Sequence, residues 1–181
     1  VDLEWLRDQG LDLSIVQHAA RGGTLLGICG GLQMLGAKLI DTAGVDGNAV
    51  GLDLLPLVTN FEREKTVRRT RIRFGSTTAA WSGLSGISMT GYEIHHGQTT
   101  ILETFAPSSD DVNVVIPGLA WQNATGNVLG CYLHGLFEDP AILRALFGAD
   151  TLTLESVFDG LADFLETHTS PSVLNALIQK D

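Results

Sequence analysis

Cys29 is the residue whose surroundings most favour chemistry. It lies in segment 27–31, Gly-Ile-Cys-Gly-Gly, after apolar residues and before a helix-like stretch over 32–35. A thiol at a strand-to-helix turn faces the positive end of the helix dipole, which favours the thiolate, and glycines permit a strained backbone that exposes the sulfur. This context predicts a nucleophile. The alternative is a small core residue, the usual role of a free cysteine.

His134 supplies the base that such a thiol needs. It comes directly after segment 128–133, Val-Leu-Gly-Cys-Tyr-Leu, which is typical of a buried strand. The run before Cys29 also predicts a buried parallel strand, because it lacks alternating polar positions. In open α/β sheets, ligands bind outside the carboxyl ends of parallel strands. We therefore expect the sulfur and the imidazole to meet there.

Length and composition restrict the class of protein. With 181 residues, 44% of them hydrophobic, the chain is predicted to form one α/β domain over residues 1–181. A net charge of −10 argues against nucleic-acid binding. Two cysteines make no disulfide framework, and neither a signal peptide nor a membrane helix is evident, so a cytoplasmic location is expected.

Basic residues are concentrated in one segment, between positions 65 and 73. Because Val67, Ile72 and Phe74 are interspersed with them, the segment predicts short strands or a hairpin with a solvated basic face. The alternative is a contact with an anionic substrate or a partner domain.

Other elements are predicted from periodicity. Two short helices are expected before residue 22, the second capped by Asp12, and residues 104–113 are expected to form a loop. Segments 116–122 and 128–132 predict a hairpin, and two amphipathic helices are expected after residue 153.

Two adjacent histidines, His95 and His96, suggest a metal site at first sight. Successive strand residues point to opposite faces, which places Glu93 and His95 on one face, and Tyr92, Ile94 and His96 on the other. The histidines cannot easily bind the same ion, so no metal site is predicted.

Five ordered motifs resemble the class I glutamine amidotransferases of the cobyric and cobyrinic acid synthase type. They are segments 2–6 (Asp-Leu-Glu-Trp-Leu), 27–36 around Cys29, 61–66 (Phe-Glu-Arg-Glu-Lys-Thr), 91–95 (Gly-Tyr-Glu-Ile-His) and 132–138 (Tyr-Leu-His-Gly-Leu-Phe-Glu). The resemblance runs essentially end to end. It implies a three-layer, flavodoxin-like α/β fold with a mostly parallel sheet, truncated at its amino end.

The resemblance implies hydrolysis of the glutamine side-chain amide, with Cys29 as nucleophile and His134 as acid and base. The Gly30 amide would be one half of the oxyanion hole. Gln33 would hold polar groups of the substrate, or else cap a neighbouring backbone group. Many members place a glutamate two residues after the histidine, where Leu136 stands here. A dyad is therefore expected, with Glu138 or Glu93 as candidates for a third group.

The ammonia would serve ATP-dependent amidation of a corrinoid, adenosylcobyrinic acid diamide, in cobalamin biosynthesis. No phosphate-binding loop motif occurs here, so ATP and magnesium are expected in an absent synthetase domain, and this chain is expected to need no cofactor. The upstream strands and the second oxyanion amide are also expected to be missing. One alternative is a non-catalytic, amidotransferase-like module with a binding or regulatory role. The other is the glutaminase subunit of a related amide ligase, either a cobyrinic acid diamide synthase or a peptidoglycan-precursor amidating enzyme.

Two positions depart from the residues expected in this family. Cys131 stands where threonine is expected and should be a packing residue, and His96 replaces a more usual methionine.

Overall fold

The computed structural model describes residues 2–102, 112–148 and 152–178. The chain divides into two compact units, Val1–Leu136 and Phe137–Asp181. The elements of the first unit are α1 (Asp2–Asp8), α2 (Leu11–Ala20), β1 (Leu25–Ile28), α3 (Gly30–Leu35), β2 (Lys38–Asp41), β3 (Ala49–Val50), β4 (Leu57–Arg73), β5 (Ser88–Ile101), β6 (Val112–Ile116), β7 (Ala120–Asn123), β8 (Val128–Cys131) and β9 (Leu133–His134). Those of the second unit are α4 (Pro140–Phe147), α5 (Leu154–His168) and α6 (Pro171–Ile178).

Two mixed sheets form the first unit, with strand orders β1-β8-β7-β6 and β3-β2-β4-β5-β9. The α/β class is confirmed. Parallel pairing, which was expected for most of the sheet, is confined within the described residues to β1–β8 and β2–β4. The connections β6–β7 and β7–β8 are too short for the crossover that parallel strands need, so these pairs are antiparallel.

The basic segment belongs to a long ribbon rather than to the short strands that were expected. β4 has 17 residues and pairs antiparallel with the 14 residues of β5. The pairing shifts between Phe61 and Thr66, where residues 62–65 bulge from β4. The predicted alternation along β5 is confirmed, since Glu93 and His95 are buried whereas Tyr92 and Ile94 are exposed.

The first unit has an apolar core, and strand β8 is buried in it along its whole length. Its strand residues Val128, Leu129 and Cys131 are at most 1% exposed, because β8 lies between β1 and β7. The hairpin predicted over 116–132 is confirmed as β7 and β8.

The helix predictions are confirmed with one correction. α2 begins after Gly10, which has a φ of 67° at the N-cap, so Asp12 lies inside the helix and does not cap it. The two tail helices are α5, which starts with a capping box between Thr153 and Ser156, and α6. Most of the loop expected at 104–113 lies outside the described residues. No helix in the described ranges is long and apolar enough to cross a membrane.

Candidate active site

Cys29 occupies the tight turn between β1 and α3. Its backbone has φ 53° and ψ −110°, a conformation that non-glycine residues rarely adopt. A Cβ at Gly27 would lie 2.5 Å from Leu35 Cδ1 and 2.8 Å from the Gly31 carbonyl carbon, so only glycine allows α3 to pack this closely on β1. The strained turn that the sequence predicted is therefore present and is held by the packing of the adjoining helix.

The contacts of Cys29 place its thiol beside β5. Its N–H donates to the Cys131 carbonyl at 2.8 Å, and its Sγ lies 3.4 Å from the Ile94 carbonyl oxygen. Burial raises the pKa of Cys29, although the Gly30 N–H and the Lys65 ammonium act to lower it. The expected stabilisation of the thiolate is therefore wrong, because desolvation outweighs these contributions. A thiol in this environment needs a base.

His134 reaches the same corner of the sheets through β9. It pairs with Tyr92 on β5, two residues from the Ile94 carbonyl that contacts Cys29 Sγ. It also lies three residues after Cys131, the partner of the Cys29 N–H. The backbone thus brings both predicted residues close to the end of β8, but no hydrogen bond joins Cys29 Sγ to the His134 ring within the described residues.

One nitrogen of the His134 imidazole makes no hydrogen bond to a described residue that would hold the ring in place. His134 Nε2 is buried and has no hydrogen-bond partner within the described part of the chain. A Cβ at Gly91 would lie 2.6 Å from the His134 carbonyl oxygen, so glycine at this position permits the close approach of β9 to β5. A buried nitrogen without a partner is uncommon. His95 Nε2 is also buried without a hydrogen-bond partner among the described residues, although it lies 3.7 Å from Glu93 Oε2.

A cavity of about 150 Å³ opens beside the first residues of α3, and its wall includes Gly30 but not Cys29 itself. Gly30 and Gln33 of α3, the two residues predicted to bind the substrate or its oxyanion, form part of its wall. Three carboxylates also line it, those of Asp2, Glu4 and Asp46. This acidic lining suits the ammonium group of an amino acid. The other lining residues are Leu3, Met34, Leu39, Gly47, Asn48, Ala49 and Phe61.

Asp41 shapes the wall of this cavity by holding the loop over residues 42–48. Its Oδ1 accepts from the N–H groups of Ala43 and Gly44 at 2.9 and 2.8 Å, and its Oδ2 accepts from those of Asp46 and Gly47 at 2.7 Å each. These donors lower the pKa of Asp41 to about 2. This clamp was not predicted from the sequence. An aspartate before a Gly- and Asn-rich loop was the available signal.

Gln33 is buried and belongs to a chain of side-chain hydrogen bonds. Its Nε2 donates to the Tyr132 hydroxyl at 3.2 Å, and Tyr132 bonds to Thr99 at 2.5 Å. His95 stacks on Tyr132 with ring centroids 3.9 Å apart. A Cβ at Gly97 would lie 2.6 Å from Gln33 Nε2, so glycine there makes room for the amide. This amide nitrogen therefore bonds to a side chain, whereas a backbone group was the expected alternative partner.

Glu93 is buried, with 1% of its side chain exposed, and two side chains of β4 donate hydrogen bonds to its carboxylate. Arg68 donates to its two oxygens at 2.8 and 2.9 Å, and Thr70 also donates to it. Burial acts to raise the pKa of Glu93, but the hydrogen bonds from Arg68 and Thr70 and the charge of Arg68 bring it below the usual value. Arg68 therefore forms a specific ion pair and is not part of a merely solvated face.

The remaining candidates differ in burial. Glu138 is exposed at the end of the short 3₁₀ turn Leu136–Glu138. Cys131 is fully buried, with its pKa raised to about 12 by desolvation, which agrees with its predicted packing role. His96 Nδ1 lies 3.2 Å from the Glu62 carbonyl. No group of three potential metal ligands is found among the residues that the structure describes.

Comparison with known proteins assigns this chain to a family. Residues 1–142 match the sequence profile of the CobB/CobQ-like glutamine amidotransferase domain. The chain is 64% identical over 97% of its length to a cobyric acid synthase from Acidovorax ebreus (strain TPSY), and 60% identical over 98% to one from Polaromonas sp. (strain JS666 / ATCC BAA-500). It spans 36% and 35% of these two proteins.

The fold is also similar to those of solved structures. For example, a chain of PurLQS from Thermotoga maritima superposes with a TM-score of 0.50 at 19% identity, over 86% of this chain and 68% of that one. The family match covers residues 1–142, which include the strained turn at Cys29 and the residues that line the cavity. This chain therefore belongs to the CobB/CobQ-like glutamine amidotransferase family.

Proposed function

We propose that this chain is the glutaminase part of a cobyric acid synthase. It releases ammonia from glutamine for the ATP-dependent amidation of adenosylcobyrinic acid a,c-diamide in the cytoplasm. The strained turn at Cys29, beside a cavity with an acidic lining, is the observation that carries the glutaminase proposal. The corrinoid acceptor rests on relatives named cobyric acid synthase that are 52–64% identical to the chain.

In the first half-reaction His134 accepts the thiol proton and Cys29 Sγ attacks the amide carbon of glutamine. The Gly30 N–H, which already points at the sulfur, stabilises the oxyanion. As the tetrahedral intermediate collapses, the C–N bond breaks and His134 donates its proton to the leaving nitrogen. Ammonia departs and a γ-glutamyl thioester remains on Cys29.

In the second half-reaction His134 removes a proton from water, which attacks the thioester carbon. Glutamate leaves and the sulfur takes the proton back from His134. Two observations support this role for His134, namely its placement opposite Tyr92 and its buried Nε2 without a partner among the described residues. Because burial raises the pKa of Cys29, general-base assistance is needed at neutral pH.

The remaining roles complete the proposal. Gln33 holds polar atoms of the substrate at the cavity wall. Cys29 and His134 act as a dyad, because Glu93 is engaged by Arg68 and Glu138 is exposed. ATP and Mg²⁺ act in a synthetase part, and this chain spans 36% of a relative that would include one.

The experiment uses the complete enzyme with glutamine or free ammonia as the nitrogen source. A glutamine-mimicking electrophile should label Cys29, and glutamine should protect it. Absence of labelling would indicate a non-catalytic module. Amidation of cobyrinic acid or of a peptidoglycan precursor, but not of the a,c-diamide, would move the chain to a related ligase.

The His134→Ala variant tests the base directly. We expect glutamine-dependent turnover to fall by about 10²–10⁴-fold, the usual effect of losing a general acid and base, while ammonia-dependent amidation persists. His96→Ala is the matched control, because His96 bonds only to the Glu62 carbonyl within the described residues. Equal losses in both variants would contradict the assignment.

A further inference from the structure

We propose that the outer face of the β4–β5 ribbon is the surface on which this unit docks the synthetase that receives its ammonia. We define this outer face as Val67, Arg69 and Arg71 of β4 with Tyr92 and Ile94 of β5. Its occupant is an acidic and partly apolar face of that synthetase. The inference rests on the proposed function and adds a surface to it.

The first observation is the distribution of charge. Six of the eleven lysines and arginines of the chain lie between positions 63 and 73, although the net charge is −10. Arg68 pairs with Glu93, and Arg73 donates to the Gly86 carbonyl. Arg69 and Arg71 have no ion-pair partner within the described residues. The ribbon therefore carries a local positive potential, which favours an acidic partner.

The second observation is the apolar surface between these cations. The side chains of Val67, Tyr92 and Ile94 are 67%, 44% and 37% exposed. In the antiparallel register Val67 lies opposite Ile94, and Arg69 lies opposite Tyr92, so all four side chains point to one face. Tyrosine and arginine are enriched where proteins bind each other.

The third observation is the position of this face. The carbonyl of Ile94 contacts Cys29 Sγ, and Tyr92 pairs with His134. Ammonia is released beside these residues, and in neutral water it becomes ammonium, which is not a nucleophile. A synthetase seated on the outer face would exclude water where ammonia leaves.

A protein occupant fits better than an anionic small molecule. Exposed apolar side chains alternate with the arginines on the outer face, whereas an anion needs only the charges. The chain also spans 36% of a relative in which the ammonia-accepting part would be covalently attached. Such attachment raises the effective concentration, so a modest surface would suffice.

Cysteine labelling in the complete enzyme tests the surface without relying on catalysis. Val67 and Val50 are 67% and 68% exposed in this chain, and only Val67 belongs to the outer face. We expect a maleimide to modify the Val67→Cys variant at least about tenfold more slowly than Val50→Cys, as judged by mass spectrometry of each peptide. Equal rates would overturn the proposal.

Charge reversal tests the function of the surface. In Arg69→Glu and Arg71→Glu we expect the amide formed per glutamine hydrolysed to fall about five- to tenfold, because a reversed charge opposes docking. Ammonia-dependent synthesis should persist. Lys38→Glu is the control, because Lys38 is exposed and lies on β2 in the same sheet. This variant should form as much amide per glutamine hydrolysed as the wild type.

Other outcomes distinguish a docking surface from an anion-binding site, and either of these from failure of the proposed function. Unchanged coupling in both arginine variants would overturn the docking surface. A higher KM for the corrinoid acceptor with unchanged coupling would also overturn it, in favour of an anion-binding site. If the complete wild-type enzyme hydrolyses no glutamine, the proposed function fails, and the labelling contrast still decides whether the outer face is covered.

Discussion

The two cysteines of the chain sit at adjacent carboxyl ends of parallel strands, yet their surroundings are opposite. Cys29 ends β1 in a strained turn, is half-buried, and directs its Sγ to the Ile94 carbonyl. Cys131 ends β8 in an ordinary strand and is fully buried. One hydrogen bond joins their backbones, from the Cys29 N–H to the Cys131 carbonyl. Neither residue type nor position along a strand therefore decides reactivity.

The difference arises from the path of the chain after each strand. Beyond β1 the chain turns sharply into α3, and the sulfur of Cys29 lies 3.4 Å from the Ile94 carbonyl oxygen of β5. Beyond β8 the chain continues through Tyr132 into β9, so Cys131 stays in the core. Burial raises the pKa of both thiols, that of Cys131 to about 12. Since the pKa of both thiols is raised, we expect Cys29 to be the more reactive one because it is accessible and has a base nearby.

The largest expected effect is the loss of the nucleophile. In the complete enzyme, Cys29→Ala should lower glutamine-dependent amidation by at least about 10³-fold, because no thioester can form, and should leave ammonia-dependent amidation intact. Steady-state rates with each nitrogen source provide the measurement. Full glutamine-dependent activity in this variant would show that Cys29 is not the nucleophile and would remove the contrast between Cys29 and Cys131.

The next effect is the selectivity of alkylation. Iodoacetamide should modify Cys29 at least about 100-fold faster than Cys131, because Cys131 is fully buried and the thiolate is the reactive form. Since the pKa of Cys29 is raised, its rate should still increase with pH above the usual cysteine range. Mass spectrometry of the two peptides measures both rates. Preferential labelling of Cys131 would reverse our interpretation.

A smaller effect should come from the cavity wall. Asp41→Asn keeps one acceptor oxygen but replaces Oδ2, which accepts from Asp46 and Gly47, by a donor. We expect the KM for glutamine to rise about three- to tenfold with little change in kcat, because the loop positions substrate. Asp53→Asn is a matched control, since Asp53 does not line the cavity. Equal KM values for the two variants would show that the loop does not contact substrate.

The same carboxylate gives a pH dependence. A folded-state pKa of about 2 lies below the usual value of 3.8, so Asp41 stabilises the loop fully above pH 4. That contribution is lost as the pH falls through the interval between about 4 and 2. The protection factors of the Asp46 and Gly47 amides, which correct for the intrinsic pH dependence of hydrogen exchange, should fall over this interval in the wild type and much less in Asp41→Asn. A flat wild-type profile would contradict the clamp.

The smallest effect is expected at Cys131. Cys131→Thr restores the residue that the family resemblance leads us to expect, and the two side chains are of similar size. We expect glutamine-dependent turnover within about twofold of wild type and a change in unfolding free energy below about 1.5 kcal/mol. Chemical denaturation and steady-state rates check both. A loss comparable with that of Cys29→Ala would show that the second thiol also takes part.

Local signals predicted much of the fold and the main chemical candidates. The glycines around Cys29 indicated a tight turn, the apolar run indicated a buried strand, and alternation along β5 correctly separated Glu93 and His95 from Tyr92 and Ile94. The length of the β4–β5 ribbon was missed, because polar residues alternate there much as they do in short exposed hairpins. The clamp at Asp41 was missed because the Gly- and Asn-rich loop after it signals a turn without showing that one carboxylate accepts from four of its backbone amides.

Residue order alone was enough to place a cysteine at a strand-to-helix turn, because glycine tolerance and hydrophobic periodicity act over a few neighbouring residues. Strand register was settled only in the folded chain, where pairing brings residues far apart in sequence into contact. That pairing set Tyr92 opposite His134, joined Arg68 to Glu93 and brought the Ile94 carbonyl to Cys29. It also buried the thiol of Cys29 and raised its pKa, which no local pattern could predict.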